Sequence, residues 1–167
     1  MKKLRMILAI LLLLSVMAGC TLRKDSESNV TFYYSRSDYA FGTEDSVIAS
    51  ESRDIAGHEG ELQYILSLYL MGPLEEELTA VFPTSIRLVS TTRGDSHLTV
   101  ELTPMDGALS DAEFSLACSC LSMTCMKLTG CTHVTVISGE QTLTLRMSNL
   151  LLVDTPVPTE AQLEVTQ

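Results

Sequence analysis

Residues 62–73 have the sequence Leu62-Gln63-Tyr64-Ile65-Leu66-Ser67-Leu68-Tyr69-Leu70-Met71-Gly72-Pro73. The apolar side chains Leu62, Ile65, Leu66 and Tyr69 recur at helical spacing, which predicts an amphipathic helix. The helix is expected to begin in the acidic turn around Glu59 and Glu61, where carboxylates favour a helix N-terminus. It is expected to end at Gly72-Pro73, because glycine adopts the left-handed cap and proline cannot continue the hydrogen-bond ladder.

Strands are predicted on both sides of this helix. Upstream, the β-branched and aromatic run 30–34 indicates a strand, and residues 47–55 form a second, looser extended segment. Downstream, apolar positions alternate in 86–90 and again in 98–102, with Arg93-Gly94-Asp95-Ser96 between them. This pattern predicts a β-hairpin, and Arg93-Gly94-Asp95 is interpreted as its turn rather than as an adhesion tripeptide.

A second helix is predicted from Ser110. Ser110-Asp111-Ala112-Glu113 has the form of a capping box, in which the serine and glutamate side chains bind each other's backbone amides. Gly130 is placed to cap the other end. The expected buried stripe consists of Phe114, Ala117, Cys118, Leu121, Cys125 and Leu128. Val134 and Val136, then Leu143 and Leu145 after the turn at 138–140, predict one or two closing strands.

The predicted order is therefore strand, helix, strand, strand, helix, strand. This order matches the split β-α-β arrangement, an α+β fold with two helices packed on one face of a mostly antiparallel sheet. Such a fold hosts many activities and does not by itself define a function.

The N-terminus predicts export and lipidation. Lys2, Lys3 and Arg5 precede an apolar run, and small residues come directly before Cys20, which is the three-part layout of a signal peptide with a lipoprotein cleavage site. The apolar run is shorter than the roughly 20 residues of a transmembrane helix. We therefore expect cleavage after residue 19, and acyl chains such as palmitate on Cys20 would anchor the protein to the outer face of the cell membrane.

The remaining 148 residues fit one domain. We expect a lipidated tether at 20–29, a folded domain at 30–147 and a disordered tail at 148–167. Without the three basic residues of the signal, 8 basic side chains face 21 acidic ones, a net charge near −13. Such a chain lacks the basic surface that nucleic acids require, so membrane attachment is expected to depend on the lipid.

Three blocks of this sequence resemble the GerM-type (GerMN) domain of sporulation and spore-germination lipoproteins. The first is residues 66–73, where the family has a leucine-rich helix that ends on Gly-Pro. The second is Pro83 to Leu88 followed by 99–102, similar to the family's hairpin. The third is 121–128 with Gly130, 134–137 and Gly139. Together they cover roughly residues 55–145. The cysteine-rich second helix departs from the family pattern, as does Cys131, which stands where the family usually has a valine.

The resemblance implies a non-enzymatic domain related to ring-building modules that serves an envelope assembly in sporulation or germination. It implies no catalytic residues and no cofactor. The expected partners are the membrane, through Cys20, and an envelope protein or a second copy. The alternatives are a small-ligand or peptidoglycan-binding lipoprotein and, third, a cell-wall hydrolase.

Four cysteines fall in or after the second helix: Cys118, Cys120, Cys125 and Cys131. Cys118 and Cys125 lie about 10 Å apart along a helix, beyond the roughly 7 Å limit for a disulfide, and Cys120 is expected to point elsewhere. No metal site is therefore predicted. Cys125 and Cys131, across the helix end, are the pair that could form a disulfide, and otherwise the thiols are expected to be buried and free.

Other polar and aromatic residues have two interpretations each. Tyr33, Tyr34 and Tyr39 are core residues or an edge presented to another subunit, with the core favoured. Residues 75–77 are three glutamates, either a solvated loop or a site for a cation or basic partner. No spacing links His58, His97 and His133, and the sequence has no nucleophile elbow or phosphate loop.

Overall fold

The computed structural model describes residues 28–38, 46–105 and 107–150. Within these residues seven strands and three helices follow one another. They are β1 Asn29–Arg36, β2 Ile48–Asp54, α1 Leu62–Leu70, β3 Leu78–Thr79, β4 Leu88–Arg93, β5 His97–Leu102, α2 Asp111–Thr129, β6 His133–Ser138, β7 Gln141–Arg146 and α3 Met147–Leu150.

The strands form two sheets. One has the order β2-β1-β3 and is antiparallel, and the other has the order β4-β5-β6-β7, in which only β5 and β6 run parallel. The predicted α+β class and the mostly antiparallel pairing are confirmed, although the strands divide between two sheets where one was expected. In the first sheet, β1 pairs with β2 along one edge and with β3 at the end of the other, and the Tyr33 amide donates to Thr124 of α2 (3.0 Å).

Helix α1 confirms its predicted end and the predicted stripe except for Leu62, which is only half-buried. Ile65, Leu66, Tyr69 and Leu70 are buried. After the helix, Gly72 has φ of +95°, and its amide donates to the Tyr69 carbonyl. A Cβ at this position would lie 3.3 Å from the Cβ of Ala80, so both the backbone conformation and the close approach favour glycine.

Helix α2 confirms the capping box but is buried more widely than predicted. The Ser110 hydroxyl accepts from the Glu113 amide, the Glu113 carboxylate accepts from the Ser110 amide (2.8 Å), and Gly130 caps the other end with φ of +71°. Leu128, placed in the predicted stripe, is only half-buried. The residues buried in addition to that stripe are Cys120, Ser122, Thr124 and Met126. The helix contacts β1 of one sheet and β6 and β7 of the other, so its sides are covered by different sheets.

The hairpin and both closing strands are confirmed. β4 pairs antiparallel with β5 and β6 with β7, and the β6–β7 turn contains Gly139 with φ of +59°. Val100, Val134 and Val136 join the aromatic residues of β1 and the apolar faces of α1 and α2 in one core.

Several predictions fall on residues outside the described part of the chain. These are the signal peptide at 1–19, the lipidated Cys20 with most of its tether, Tyr39, and residues 151–167 of the predicted tail. Residues 148–150 belong to α3. Among the described residues, no helix combines the length and apolar character that crossing a membrane requires.

Candidate docking surface

A buried ion pair lies on the inner face of β2. Glu51 and Arg53 are two residues apart, so their side chains point to the same face of the strand, and they are 4% and 7% exposed. Arg53 Nε donates to Glu51 Oε1 over 2.9 Å, and Arg53 Nη2 donates to the same oxygen. The guanidinium also lies 5.1 Å from the centre of the Phe32 ring, a cation–π distance.

This ion pair binds the backbone of residues 71–75, hereafter the α1 exit loop. Arg53 Nη2 donates to the Gly72 carbonyl over 2.7 Å. Glu51 Oε2 accepts from the amides of Leu74 (2.9 Å) and Glu75 (3.2 Å). The carbonyl and amides that follow the helix are thereby satisfied by two charged side chains from another element.

The α1 exit loop presents two large apolar side chains to solvent. Met71 is 79% exposed and Leu74 is 77% exposed. Met71 also lines an open groove of about 340 Å³ between the end of α1 and the segment that leads into β4. The other groove residues are Ser67, Leu70, Thr84, Ile86, Arg87 and Leu88. Met71 thus belongs to both the loop and the groove, whose apolar lining includes Leu70, Ile86 and Leu88.

Negative charge follows directly after the apolar rim. Glu75, Glu76 and Glu77 are all exposed, as expected for a solvated loop. The Ser37 amide and hydroxyl both donate to the Glu77 carbonyl, at 2.9 and 3.0 Å. The glutamates therefore extend from a backbone that is hydrogen-bonded to Ser37, the residue after β1.

Aromatic residues of β1 pack beneath this surface. Tyr34 stacks on Tyr69 with ring centres 4.7 Å apart, and its hydroxyl donates to the Tyr69 carbonyl over 2.8 Å. Burial raises the pKa of Tyr34 and of Tyr69 well above the usual range; the Arg53 charge opposes the shift of Tyr34. Tyr34 is thus a core residue, whereas Tyr33 is half-buried.

The four cysteines are buried free thiols in the structure. Burial raises the pKa of Cys118 and of Cys120 to about 12, and it also raises the pKa of Cys125. A thiol with a raised pKa is a poor nucleophile and a poor metal ligand, because both roles need the thiolate. In the described ranges no three or more His, Cys, Asp or Glu side chains form a group that could hold a metal.

The structure brings two of the three histidines together. β5 and β6 pair in parallel with His97 opposite His133, and their ring centres lie 6.4 Å apart on the solvent side of the second sheet. His97 Nε2 lies 2.8 Å from the Thr135 hydroxyl. His58 stacks instead on Tyr64 of α1.

Arg93 donates to the Thr129 carbonyl, and the Gly94 amide donates to the His97 carbonyl, consistent with a hairpin connection at 93–96.

Sequence reasoning did not identify the centre of this surface. Glu51 and Arg53 were part of a predicted extended segment, but charged residues in a strand are usually solvent-facing. Two features of the sequence could have indicated that they are buried. Their opposite charges are two residues apart, and they lie on the same face of the strand as the apolar residues Ala49 and Ile55. The backbone groups of the α1 exit loop that bind Glu51 and Arg53 lie about 20 residues further along the chain, so the sequence alone did not predict these hydrogen bonds.

No protein-family model and no curated protein matches the sequence. Among solved structures, the chain is similar to the first GerMN domain of the sporulation protein GerM from Bacillus subtilis. The TM-score is 0.51 at 12% identity, and the match covers 68% of this chain and 86% of that one.

Two further structures are similar at lower TM-scores. The tandem GerMN domains of the same protein give a TM-score of 0.48 at 18% identity, covering 74% of this chain and 43% of the tandem structure. A candidate lipoprotein from Clostridium perfringens gives 0.45 at 13% identity, covering 77% of this chain and 95% of that one. At these identities a likeness concerns the fold alone, and the chain has the fold of a GerMN domain, as the resemblance in its sequence predicted.

Proposed function

We propose that this protein is a non-enzymatic docking module, tethered to the outer face of the cell membrane by a lipid on Cys20, and that the α1 exit loop and its groove bind an envelope protein. The observation that carries the proposal is the exposure of Met71 and Leu74 on a loop whose backbone is hydrogen-bonded to a buried ion pair. Apolar side chains presented on an ordered backbone are what a protein partner can bury at little conformational cost.

The buried ion pair supports this interpretation because a pair of this kind is expected to add little net stability. Removing two charges from water has a desolvation cost that roughly offsets their attraction, and well-packed apolar residues often replace such a pair without loss. Glu51 and Arg53 do, however, fix four backbone groups of the exit region, at Leu68, Gly72, Leu74 and Glu75. Their arrangement suits the conformation of the loop more than the stability of the core.

The charge of the surface indicates the chemistry of the partner. Leu74 is followed by three exposed glutamates, and the whole chain carries a net charge of −10. Complementary charge speeds association and fixes register. The partner is therefore an envelope protein with an apolar segment beside lysine or arginine residues.

The process we propose is sporulation or germination. The solved domain with the similar fold belongs to a sporulation protein of Bacillus subtilis, and fold likeness does not by itself transfer a function. The high pKa of the buried thiols agrees with a domain that does not act as a thiol nucleophile.

Photocrosslinking in the native host tests the docking surface. The lipidated full-length protein would carry a photoreactive phenylalanine derivative in place of Met71, or in place of Met147 as a control at a separate apolar site. We expect one envelope protein adduct from position 71 and none of the same mass from position 147. Leu74→Asp should abolish the adduct, whereas Met147→Asp should leave it.

Three outcomes would contradict the proposal. Equal crosslinking from both positions would show nonspecific contact, and an adduct that survives Leu74→Asp would place the interface elsewhere. If position 71 gives no protein adduct but purified peptidoglycan fragments raise the melting temperature, the ligand-binding alternative is favoured. For the process itself, the Met71→Asp variant should lower the yield of heat-resistant spores, and an unchanged yield would remove sporulation from the proposal.

A further inference from the structure

The two sheets have four edge strands in the described part of the chain: β2, β3, β4 and β7. An edge strand offers unpaired backbone groups to a further strand, and proteins protect such edges with short strands, bulges or charges that point inward. Three of the edges have such protection. β2 carries the buried Glu51 and Arg53, β3 has only 2 residues, and the register of β4 shifts between Leu88 and Ser90, as at a β-bulge.

The fourth edge, β7, has none of these features. Its 6 residues pair with β6 in an unbroken register, and its one charged residue is the last. The amide of Met147 donates to the Thr132 carbonyl on the β6 side. In an antiparallel pair alternate residues hydrogen-bond to the same neighbour, so the even-numbered residues direct their backbone groups away from β6. No strand of the described residues pairs on that side.

This edge is complementary to itself about Thr144. In an antiparallel pairing that sets Thr144 opposite Thr144 of a second copy, Thr142 falls opposite Arg146 on both sides of the centre. These residues direct their backbone groups across the new contact, and each opposed pair exchanges two hydrogen bonds. On the inner face Leu143 falls opposite Leu145. Both leucines are only half-buried in one chain, so the pairing would cover more of their apolar surface.

Charge also favours a second copy in this register. Arg146 lies diagonally across from Glu140 of the other copy, a spacing that long side chains can bridge. Both residues are exposed, and two-fold symmetry produces this contact twice. Arg146 is the only charged residue of β7, and the residue opposite it is the uncharged Thr142, so no like charges oppose each other.

We propose that β7 pairs with β7 of a second copy, with Thr144 on the two-fold axis, and that the two four-stranded sheets thereby join into one. Such a contact uses the same surface of both copies and closes at the dimer. The proposal is independent of the proposed function, because it uses none of the side chains of the α1 exit loop.

Cysteine crosslinking of the full-length lipidated protein in host membranes tests the register. Thr144→Cys should give a disulfide-linked dimer on mild oxidation, because hydrogen-bonded opposed residues lie about 5.5 Å apart, within disulfide range. Thr142→Cys is the matched control on the same face of the same strand. Its two copies would lie about 13 Å apart, so it should give no dimer alone, but it should crosslink to a co-expressed Arg146→Cys chain.

Two results of this experiment would overturn the proposal. Equal dimer yields from Thr144→Cys and Thr142→Cys would indicate random collision in the membrane. A Thr144→Cys adduct with a different protein, without the dimer, would assign the β7 edge to that protein. The wild-type chain checks the background, since its four described cysteines are buried.

Sedimentation of the mature chain with Cys20→Ala provides a second measurement. This chain should sediment as a dimer, whereas Thr144→Pro should sediment as a monomer at the same concentration. Proline there removes only an amide that faces away from β6, a position that an edge strand tolerates, and circular dichroism checks the fold. Thr142→Lys should also weaken the dimer, because it opposes Arg146 with a like charge, and adding Arg146→Glu should restore it. A monomer at every concentration, or a Thr144→Pro dimer as stable as that of the unsubstituted chain, would overturn the proposal.

Discussion

The hydroxyl of Thr124, on the buried side of α2, accepts a hydrogen bond of 3.0 Å from the amide of Tyr33 in β1. Thr124 is fully buried, so no water can replace this acceptor. The side chain of Thr124 thus satisfies a backbone amide on an edge of β1 where neither β2 nor β3 pairs. The bond links the first sheet to α2, which also packs on the second sheet.

Removing this hydroxyl should destabilise the domain. Thr124→Val keeps the shape of the side chain but leaves the Tyr33 amide unpaired, at an expected loss of about 1–3 kcal/mol in the free energy of unfolding. Ser122 provides a matched control, because its buried hydroxyl has no hydrogen-bond partner among the described residues. Ser122→Ala should therefore be neutral or slightly stabilising. Urea denaturation measures both, and equal losses would refute the assigned hydrogen bond.

Breaking the Glu51–Arg53 pair should be more damaging than replacing it. Glu51→Gln leaves the Arg53 charge buried without its partner, and the expected loss is about 3–5 kcal/mol. The double variant Glu51→Leu, Arg53→Met should recover part of that loss, because it removes the unpaired buried charge.

The same double variant should nevertheless loosen the α1 exit loop. The amides of Leu74 and Glu75 lose their acceptor, so their hydrogen exchange should accelerate while that of Val100 in β5 should not. If hydrogen exchange at the Leu74 amide stays slow in the double variant, the ion pair does not order the loop, and the docking proposal loses the support of an ordered backbone.

The capping box should make stability depend on pH. Hydrogen bonds from the Ser110 hydroxyl and amide lower the pKa of the Glu113 carboxyl. A carboxyl with a lowered pKa in the folded state adds stability above its unfolded pKa and loses it as the pH falls through the folded value. Glu113→Gln should therefore be less stable than wild type at pH 7, and the difference should vanish in acid. A difference that persists at low pH would assign the effect to something other than the carboxylate.

The buried thiols should be unreactive until the domain unfolds. In a Cys20→Ala chain we expect no fast reaction with Ellman's reagent at pH 8, and four thiols after denaturation without reductant. Two thiols after denaturation would instead indicate the disulfide between Cys125 and Cys131. Because the pKa of Cys118 and Cys120 is raised to about 12, their contribution to stability is full below about pH 9 and is lost as the pH rises toward 12.

Lipidation should be needed for function but not for folding. A full-length Cys20→Ala variant expressed in the host should give the wild-type circular dichroism spectrum and should be absent from the membrane fraction. It should fail to restore the phenotype of a deletion strain. Full activity of a released, unlipidated form would contradict the role assigned to Cys20.

Local signals in the sequence predicted the fold well. Gly72-Pro73, the Ser110–Glu113 box and Gly130 defined helix ends because capping depends on residues a few positions apart. The β4–β5 hairpin was equally predictable, because its alternating apolar residues and its turn residues lie within one short segment.

Features that depend on distant contacts were not predictable. A single apolar stripe on α2 implied one buried face, but Cys120 and Thr124 are buried too, because polar and small residues can face a second sheet if their hydrogen bonds are met. The burial of Glu51 and Arg53 and the division of the strands into two sheets likewise depend on pairing between distant segments. Most of the candidate surface could therefore not be predicted from the sequence, although Gly72 was correctly predicted to end the helix.

The seven-residue register between β1 and β2, from Asn29↔Asp54 to Ser35↔Ile48, has a mechanical consequence. If the protein is anchored through Cys20 and docks through the α1 exit loop, as proposed, tension would enter the described domain at Ser28, and the β1–β2 ladder would lie on the path to the Glu51 and Arg53 side chains that bind the loop. Tension along the strand axis would load these pairs in parallel rather than one after another. On that proposal, the longer of the two strand pairings in the first sheet would lie between the membrane and the partner, where a force-bearing link would need it.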